Sequence, residues 1–334
     1  MSINRRKFVK KTIHAGGAFY FGMLPGCRSD DYKSAAIQGN HSTVVEAVSP
    51  SIRDGNGKLI GDQVHRLLNN AMENLLQTTN AAHAWKKLFG KDDVVGIKIN
   101  CLAGRGMSTH QELVEAIVEG LKSADLPERN IIIWDRSNRD LHKAGYQIKT
   151  GRNQLRCLGN DYSGYTREIY EFGAVGSSLS RILVDQCSAI INVPIVKDHG
   201  IVGITNALKN YFGAIHNPNK YHDNCGDPFI ADVYMLPHIR KKNRLIISDL
   251  LTAQYEGGPP FMPQWSWDHN GILVGFDPVA MDTLAWTKIE QKRREHNLPT
   301  LKAAGREPTY IATAADEHHQ LGTNNLKQIK LVKI

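Results

Sequence analysis

The stretch that decides the fold begins with DVVGIKIN (Asp93–Asn100), a short apolar run that is followed by a polar loop. A helical pattern then places Leu113, Ile117 and Leu121 on one face, and NIIIW (Asn130–Trp134) is a second apolar run. The two runs lack polar alternation, which is typical of parallel strands that are covered on both faces. We therefore expect an α/β fold, with a mostly parallel sheet and helices on both faces.

The same order of strand and helix continues along the chain and defines the domain. Further apolar runs lie at 189–193, 244–247, 272–276 and 328–334, and helical patterns lie at 61–77, near 203–212, at 228–240 and at 279–295. Residues 28–58 are predicted to be a polar tether. A single α/β domain is expected over residues 59–334.

The first 27 residues indicate where the protein works. Arg5 and Arg6 precede a Phe and a Lys in NRRKFVK, which resembles a twin-arginine export signal. LPGC, which ends at Cys27, resembles a lipobox, in which the cysteine is lipidated. An amphipathic helix or a membrane anchor is the alternative, but the apolar stretch 12–24 is short and broken by glycines. We expect the twin-arginine translocase to deliver the protein to the periplasm or the outer face of the inner membrane, with membrane attachment through a lipid on Cys27.

Composition excludes two kinds of partner or cofactor. The formal net charge is +8, but Cys27 and the residues after it contain 36 basic against 33 acidic side chains, so we expect no nucleic-acid partner. The four cysteines beyond Cys27 form no CxxC pair, which argues against an iron–sulfur cluster or a zinc ribbon.

Ligands of open α/β sheets bind beyond the carboxyl ends of the strands. Asp135 and Arg136 follow the NIIIW strand and are candidate substrate contacts, with a solvent-facing salt bridge as the alternative. The segment Asp249–Asn270 is long for a loop in a compact domain, which suggests either a lid or a surface loop pinned by tryptophans. Trp267 in this segment is a candidate substrate contact.

The densest polar cluster lies between residues 196 and 228, after the strand 189–193. Lys197 and His199 fall at the sheet edge, and a helix over 204–212 would place Asn206, Lys209 and Asn210 on one face. Lysines suit an anionic substrate and histidine suits proton transfer. The predicted catalytic residues are therefore His199, Lys197 and Lys209, and the predicted substrate contacts here are Asn206, Asn210 and Lys220.

The same segment also offers metal ligands. His216, His222, Cys225 and Asp227 lie close together in sequence, and imidazole with thiolate suits a transition metal. Their spacing matches no standard zinc template. The alternative is that the histidines cap loops and the lysines are solvated, and any cofactor stays unknown.

These segments together resemble the domain-of-unknown-function-362 family, over roughly residues 90–290. The resemblance is carried by VVGIKINCLAG, IIIWDR, VGFDPVAMD and above all NVPIVKDHGIVGITNALKNYFGAIHNPNKYH (Asn192–His222). Many members are described only as iron–sulfur or exported proteins. The iron–sulfur description goes with an extra ferredoxin-type cysteine run, which this chain lacks.

Residues 194–213 are also locally similar to the lactate racemase family, whose members use a nickel–pincer nucleotide. That similarity implies proton or hydride transfer at a hydroxy-bearing carbon, with His as acid/base and Lys holding a carboxylate. We therefore expect an exported, metal- or cofactor-dependent enzyme that performs redox or isomerase/racemase chemistry on a small polar or anionic molecule. The alternative is a non-catalytic periplasmic binding or maturation lipoprotein. Catalysis requires the side chains of residues 197–227 to converge in one pocket.

Overall fold

The computed structural model describes residues 41–334, which belong to one compact unit around a mixed sheet of eleven strands. The strands of the chain are β1 (Ser42–Val48), β2 (Val95–Lys98), β3 (Ile131–Asp135), β4 (Arg156–Gly159), β5 (Tyr170–Phe172), β6 (Val175–Ser177), β7 (Ala189–Asn192), β8 (Ile195–His199), β9 (Gly203–Thr205), β10 (Asn243–Gln254), β11 (Ser266–Trp267), β12 (Gly271–Gly275) and β13 (Ile329–Lys333). β5 and β6 form a separate two-stranded ribbon.

The order of the main sheet is β13-β1-β12-β10-β7-β2-β3-β4, with β8 and β11 paired to β10, and β9 paired to β8. Neighbours along this order run parallel, except that β12 is antiparallel to both β1 and β10. Val95 of β2 pairs with Ile131 on one side and with Ala189 on the other. The prediction of a mostly parallel sheet is therefore confirmed.

Helices cover both faces of the sheet, as predicted. They are α1 (Gly61–Leu76), α2 (Ala81–Leu88), α3 (Gln111–Ser123), α4 (Asn138–Lys143), α5 (Asn160–Ser163), α6 (Phe229–Met235), α7 (Pro237–Lys242), α8 (Pro278–Glu295) and α9 (Tyr310–Ala314). Successive side chains of a strand point to opposite faces, so Ile131 and Ile133 join the core beneath α1, α2 and α3. Ile132 and Trp134 join the other core, with α6, α8 and α9.

The domain begins earlier than the sequence predicts. β1 lies inside the sheet, between β12 and β13, and it buries Val44, Val45 and Ala47. The predicted tether over 28–58 is therefore wrong where residues 42–48 form a strand inside the sheet and where Ile52 is buried in the core. Residues 28–40 of that segment, and the predicted export and lipidation residues Arg5, Arg6 and Cys27, lie outside the described residues. Across residues 41–334, we find no helix with the length and apolar character needed to cross a membrane.

Three predicted elements differ in the structure. The helix expected at 204–212 is wrong, because Gly203–Thr205 is a strand and Lys209–Ala214 is a 3₁₀ helix. The helix expected at 228–240 is divided before Pro237, where Leu236 is extended (ψ 133°), because proline disfavours the helical conformation in the residue before it. The strand expected at 244–247 continues to Gln254 and pairs with β11, which shortens the loop predicted for 249–270.

Candidate functional site

The polar cluster after β7 begins with a second strand, β8. β8 follows Pro194, pairs with β10 and β9, and extends the sheet beyond the carboxyl end of β7. The side chains of a strand alternate, so Lys197 and His199 point to one side and Asp198 points to the other. This alternation places two of the predicted catalytic residues in the same cavity.

That cavity has a volume of about 380 Å³ and lies at the carboxyl ends of β2 and β3, which is a typical volume for a small-molecule site. Leu102 and Ile201, each more than half exposed, flank its mouth. The polar and charged side chains that line it are Lys98, Asn100, Asp135, Arg136, Asp140, Lys197, His199, Thr205, Lys209, Asn210, Asn219 and His222.

Lys98, the last residue of β2, forms a buried ion pair in the cavity wall. Its Nζ atom donates hydrogen bonds to Asp135 Oδ1 (2.7 Å) and to the carbonyl oxygen of Ile99 (2.6 Å). The other carboxylate oxygen of Asp135 accepts from the backbone N–H of Cys101 (2.6 Å). Gly213 packs on this pair, since a Cβ atom there would lie 2.8 Å from Lys98 Nζ. The charge of Lys98 is thus compensated within the protein.

Lys197 is buried without a carboxylate partner. It is 1% exposed, and its Nζ atom donates one hydrogen bond, to the carbonyl oxygen of Met107 (3.2 Å). Burial lowers the pKa of Lys197 to about 8, although the negative charge of Asp135 acts in the opposite direction. The remaining N–H groups of Lys197 are therefore available to a ligand in the cavity.

Lys209 is the second buried lysine without an ion pair among residues 41–334. It is 8% exposed, and its Nζ atom lies 3.3 Å from His222 Nε2 and 4.7 Å from the centre of the Phe212 ring. Burial, with the nearby charge of Lys197, lowers the pKa of Lys209 to about 7. Nδ1 of His222 lies 3.0 Å from the carbonyl oxygen of Pro218, which fixes the proton on Nδ1 and leaves Nε2 as an acceptor for Lys209.

His199 is held in the neutral state. Its Nδ1 atom accepts hydrogen bonds from the backbone N–H groups of Ile201 (3.2 Å) and Val202 (3.4 Å), so the ring proton lies on Nε2. The ring stacks on His222 with 5.4 Å between centroids. Burial, together with the charge of Lys209, lowers the pKa of His199 to about 2. His199 can therefore donate a hydrogen bond from its Nε2–H group to a ligand in the cavity.

A chain of amides supports the floor of the cavity. Asn210 Nδ2 donates to Asn192 Oδ1 (2.8 Å) and to the carbonyl oxygen of Lys98 (3.1 Å), and Asn210 Oδ1 accepts from Asn100 Nδ2 (3.1 Å). Asn100 Oδ1 is buried and has no hydrogen-bond partner within the described part of the chain. Because buried acceptors are normally satisfied, this oxygen is a candidate acceptor for a ligand N–H or O–H group.

The charges around the cavity favour an anion. Four cationic side chains line it (Lys98, Arg136, Lys197 and Lys209), against the carboxylates of Asp135 and Asp140. Low-dielectric walls strengthen the field of such an unbalanced set.

Three predicted substrate contacts, Asn206, Lys220 and Trp267, do not line the cavity. Asn206 donates to the carbonyl oxygen of Met281 (3.1 Å) behind the cavity wall, because it follows a strand and not the first turn of a helix. Lys220 is exposed and lies over the ring of Tyr221. Trp267 pairs in β11 and packs near Tyr255, away from the cavity.

The predicted metal ligands do not come together. His222 lines the cavity, whereas His216 packs edge-on against Tyr165, with 4.9 Å between ring centroids. Cys225 Sγ contacts the carbonyl oxygen of Gly305, and Asp227 accepts a hydrogen bond from Thr313. Short 3₁₀ turns over 218–226 send these side chains in different directions. The four-residue set is therefore wrong, and residues 41–334 contain no group of three or more His, Cys, Asp or Glu side chains placed to hold a metal ion.

The structure thus unites seven predicted residues, and it adds others that sequence reasoning missed. The seven are Lys197, His199, Lys209, Asn210, His222, Asp135 and Arg136. Of those missed, Lys98 had a usable signal, because a lysine in an apolar strand that is covered on both faces needs a buried partner. Asp135 stands at the corresponding end of the adjacent parallel strand, where Lys98 pairs in register with Trp134.

Comparison with known proteins gives a family and a distant structural likeness. A search of curated proteins finds no match to this chain. A crystal structure of a structural-genomics target from Thermotoga maritima is similar with a TM-score of 0.45 and 12% identity. The similarity covers 72% of this chain and 60% of the length of that protein. The family model described as "Domain of unknown function (DUF362)" matches residues 95–287, which is more than half of the chain and includes β2, β3 and the whole polar cluster. The chain belongs to this family.

Proposed function

We propose that the protein is an exported enzyme that binds a small carboxylate in the cavity and transfers protons on it, in isomerase or racemase chemistry. The observation that carries the proposal is the burial of Lys197 and Lys209, neither of which has an ion pair in the described part of the chain. Buried charges are normally paired, and a bound anion would supply the missing partner.

The residues around Lys197 support the binding of a carboxylate. Lys197 has N–H groups free toward the cavity, and His199 offers its Nε2–H group from a ring that is held neutral. Arg136 is exposed at the cavity wall, where a cation attracts anions from solvent. A small carboxylate in the cavity would then lose its hydration water and accept charge-assisted hydrogen bonds from these groups.

The pair of Lys209 and His222 supports proton transfer. Their nitrogen atoms are 3.3 Å apart, and the pKa of Lys209 is lowered to about 7, so the lysine exchanges protons near neutral pH. The neighbouring imidazole can accept a proton from the ammonium group. This arrangement favours an enzyme over the alternative, a binding or maturation lipoprotein, which needs no proton carrier.

Calorimetric titration with L-lactate, inorganic phosphate and glucose tests the binding step. We expect the anions to bind, glucose to give no heat, and Lys197→Met to weaken lactate binding about tenfold, as for a lost hydrogen bond to a charged group. Lys302→Met is the matched control, since that lysine is 77% exposed and lies outside the cavity lining. Equal binding by both variants would refute the role of the cavity.

Hydrogen exchange in D₂O, followed by NMR over a panel of small hydroxy and oxo acids, tests the chemistry. We expect exchange of a carbon-bound proton in at least one acid, and its loss in Lys209→Met. Binding without exchange in the whole panel would favour the non-catalytic lipoprotein.

Export is a separate part of the proposal and rests on Arg5, Arg6 and Cys27. In a bacterial host with a twin-arginine translocase, the double variant Arg5→Lys/Arg6→Lys should accumulate in the cytoplasm. Cys27→Ser should still be exported but lose membrane attachment. Periplasmic recovery of the double variant at the wild-type level would contradict the export signal.

A further inference from the structure

We infer that Lys209 forms a covalent imine with the carbonyl carbon of a 2-oxo acid, and that 2-oxo acids are the substrate class of the cavity. This inference rests on the proposed carboxylate binding and adds the nucleophile, the reacting atom and the substrate group. It is carried by the surroundings of Lys209, which differ from those of the other two lysines in the cavity.

Lys209 has the surroundings of a nucleophilic amine. Its Nζ atom has no carboxylate partner in the described residues, lies against the face of Phe212 and opens into the cavity. A desolvated lysine beside a second cation favours the neutral amine, which is the nucleophilic form. Here the second cation is Lys197, whose charge acts with burial to lower the pKa of Lys209. Lys98, by contrast, is locked to Asp135.

His222 is placed to carry the protons of the reaction. With Nδ1–H fixed on the carbonyl oxygen of Pro218, the Nε2 atom of His222 faces Lys209 at 3.3 Å. It takes one proton from the Lys209 ammonium group, and the neutral amine attacks the carbonyl carbon. The N–C bond forms as the C=O π bond breaks, and the oxygen takes up the second amine proton to give a carbinolamine.

The second half of the step releases water. His222 returns its proton to the carbinolamine hydroxyl group, the C–O bond breaks, and the nitrogen lone pair forms the C=N bond. In sum, one ammonium group and one carbonyl give one iminium ion and one water molecule, with no oxidant or reductant. The iminium ion then withdraws electrons from the adjacent carbon, so that His222 can remove a proton there, which agrees with the proposed proton transfer.

Two further groups fit a 2-oxo acid: Lys197 selects it over a simple ketone, and Asn100 supports the intermediate. Lys197 and Lys209 line the same small cavity, so a carboxylate held by Lys197 can present an adjacent carbonyl to Lys209. The unpartnered Asn100 Oδ1 offers an acceptor for the hydroxyl group of the carbinolamine. The carboxylate and the carbonyl of a 2-oxo acid are adjacent, so both fit within one cavity of about 380 Å³.

Cyanoborohydride trapping of the full chain with pyruvate tests the inference. Cyanoborohydride reduces an iminium ion to a stable secondary amine, so intact mass spectrometry should show one pyruvate adduct, and peptide mapping should place it on Lys209. We expect no adduct in Lys209→Arg, and about a tenfold slower adduct in Lys197→Met, as for the loss of one charged hydrogen bond. Acetone, which has the carbonyl but no carboxylate, should be trapped at least tenfold more slowly than pyruvate, by the same argument.

The exposed Lys302 serves as the internal reference for chemical background, since its adduct is measured in the same digest. Lys209 should be labelled faster than Lys302 at neutral pH, and the Lys209 rate itself should increase as the pH rises to about 7 and level off above it, because the Lys209 ammonium group loses its proton there. Equal labelling of Lys209 and Lys302, or equal trapping of acetone and pyruvate, overturns the inference. If calorimetry shows pyruvate bound and no adduct forms, the imine is wrong and the anion site stands. If pyruvate neither binds nor is trapped while lactate binds, only the substrate class and the imine fail.

Discussion

The two sides of strand β8 carry charged residues in opposite circumstances. On one side, Asp198 accepts from the backbone N–H of Gly258 (2.7 Å) and is paired with Arg306, which also contacts Glu256. On the other side, Lys197 enters the cavity and has no ion pair in the described chain. Adjacent residues of one strand therefore differ: the charge of Asp198 is compensated by Arg306, whereas the charge of Lys197 has no partner in the described residues.

The difference separates structural charge from functional charge. A paired buried charge is satisfied by the fold and leaves nothing for a ligand, whereas an unpaired one costs stability that a ligand can return. Burial alone does not distinguish the two, because Asp198 and Lys197 are both 1% exposed or less. The pairing of each charge distinguishes them, and pairing can be tested by removing one partner at a time.

The largest effect is expected from removing the ion pair between Arg306 and Asp198. Arg306→Met leaves Asp198 buried without its cation and should reduce the free energy of unfolding by about 3–5 kcal/mol, measured by urea denaturation. The control is Arg181→Met, which breaks the exposed pair with Asp185 and should cost less than about 1 kcal/mol. Similar losses in the two variants would contradict the structural role of the network.

A matched series of lysine variants sharpens the comparison within the cavity. Lys98→Met leaves Asp135 buried and unpaired, so we expect a loss of about 3 kcal/mol in the free energy of unfolding. Lys197→Met removes an uncompensated charge and should be neutral or stabilising, by about 1 kcal/mol. Both substitutions keep a long apolar side chain. If urea denaturation shows a loss of unfolding free energy for both variants, Lys197 is also part of a structural pair.

The pH dependence of stability gives a continuous measure. The pKa of Lys209 is about 7 in the folded protein and 10.5 ordinarily, so between these values the unfolded chain binds more protons. The free energy of unfolding therefore increases with pH in this window, by up to about 1.4 kcal/mol per pH unit for one proton. Comparing wild type with Lys209→Met by urea denaturation from pH 7 to 10 isolates this contribution. The unfolding free energy of Lys209→Met minus that of wild type should decrease as the pH rises, because only the wild type gains stability. A difference that stays constant would refute the contribution of Lys209.

The sequence predicted the sheet better than it predicted the site. Apolar runs such as NIIIW identify buried strands directly, because each residue contributes through its own burial. The site depends on which way each side chain points, and assigning one element to the wrong secondary structure changes that direction. The predicted helix at 204–212 assigned Asn206 to the site, whereas the strand over Gly203–Thr205 directs it to Met281.

The pairing of charges was the least predictable feature. Lys98 and Asp135 are 37 residues apart, and their contact depends on the register of two strands. Arg306, which compensates Asp198, comes from a segment 108 residues away that no motif marked. That Lys197 and Lys209 stay unpaired while Lys98 is paired therefore follows from tertiary structure, although the residue types of Lys197 and Lys209 indicated an anion site.

The smallest effect is expected at the rim of the cavity, where Arg136 is exposed. An exposed cation is screened by salt and contributes mainly to the rate of association, so Arg136→Gln should weaken L-lactate binding by about threefold at low salt. The effect should disappear at about 1 M salt, where the Debye length falls to about 3 Å. Arg139→Gln is the control, because Arg139 is 78% exposed on α4 but does not line the cavity. Calorimetry that finds a salt-independent loss at Arg136 would instead place this residue in direct contact with the bound carboxylate, alongside Lys197.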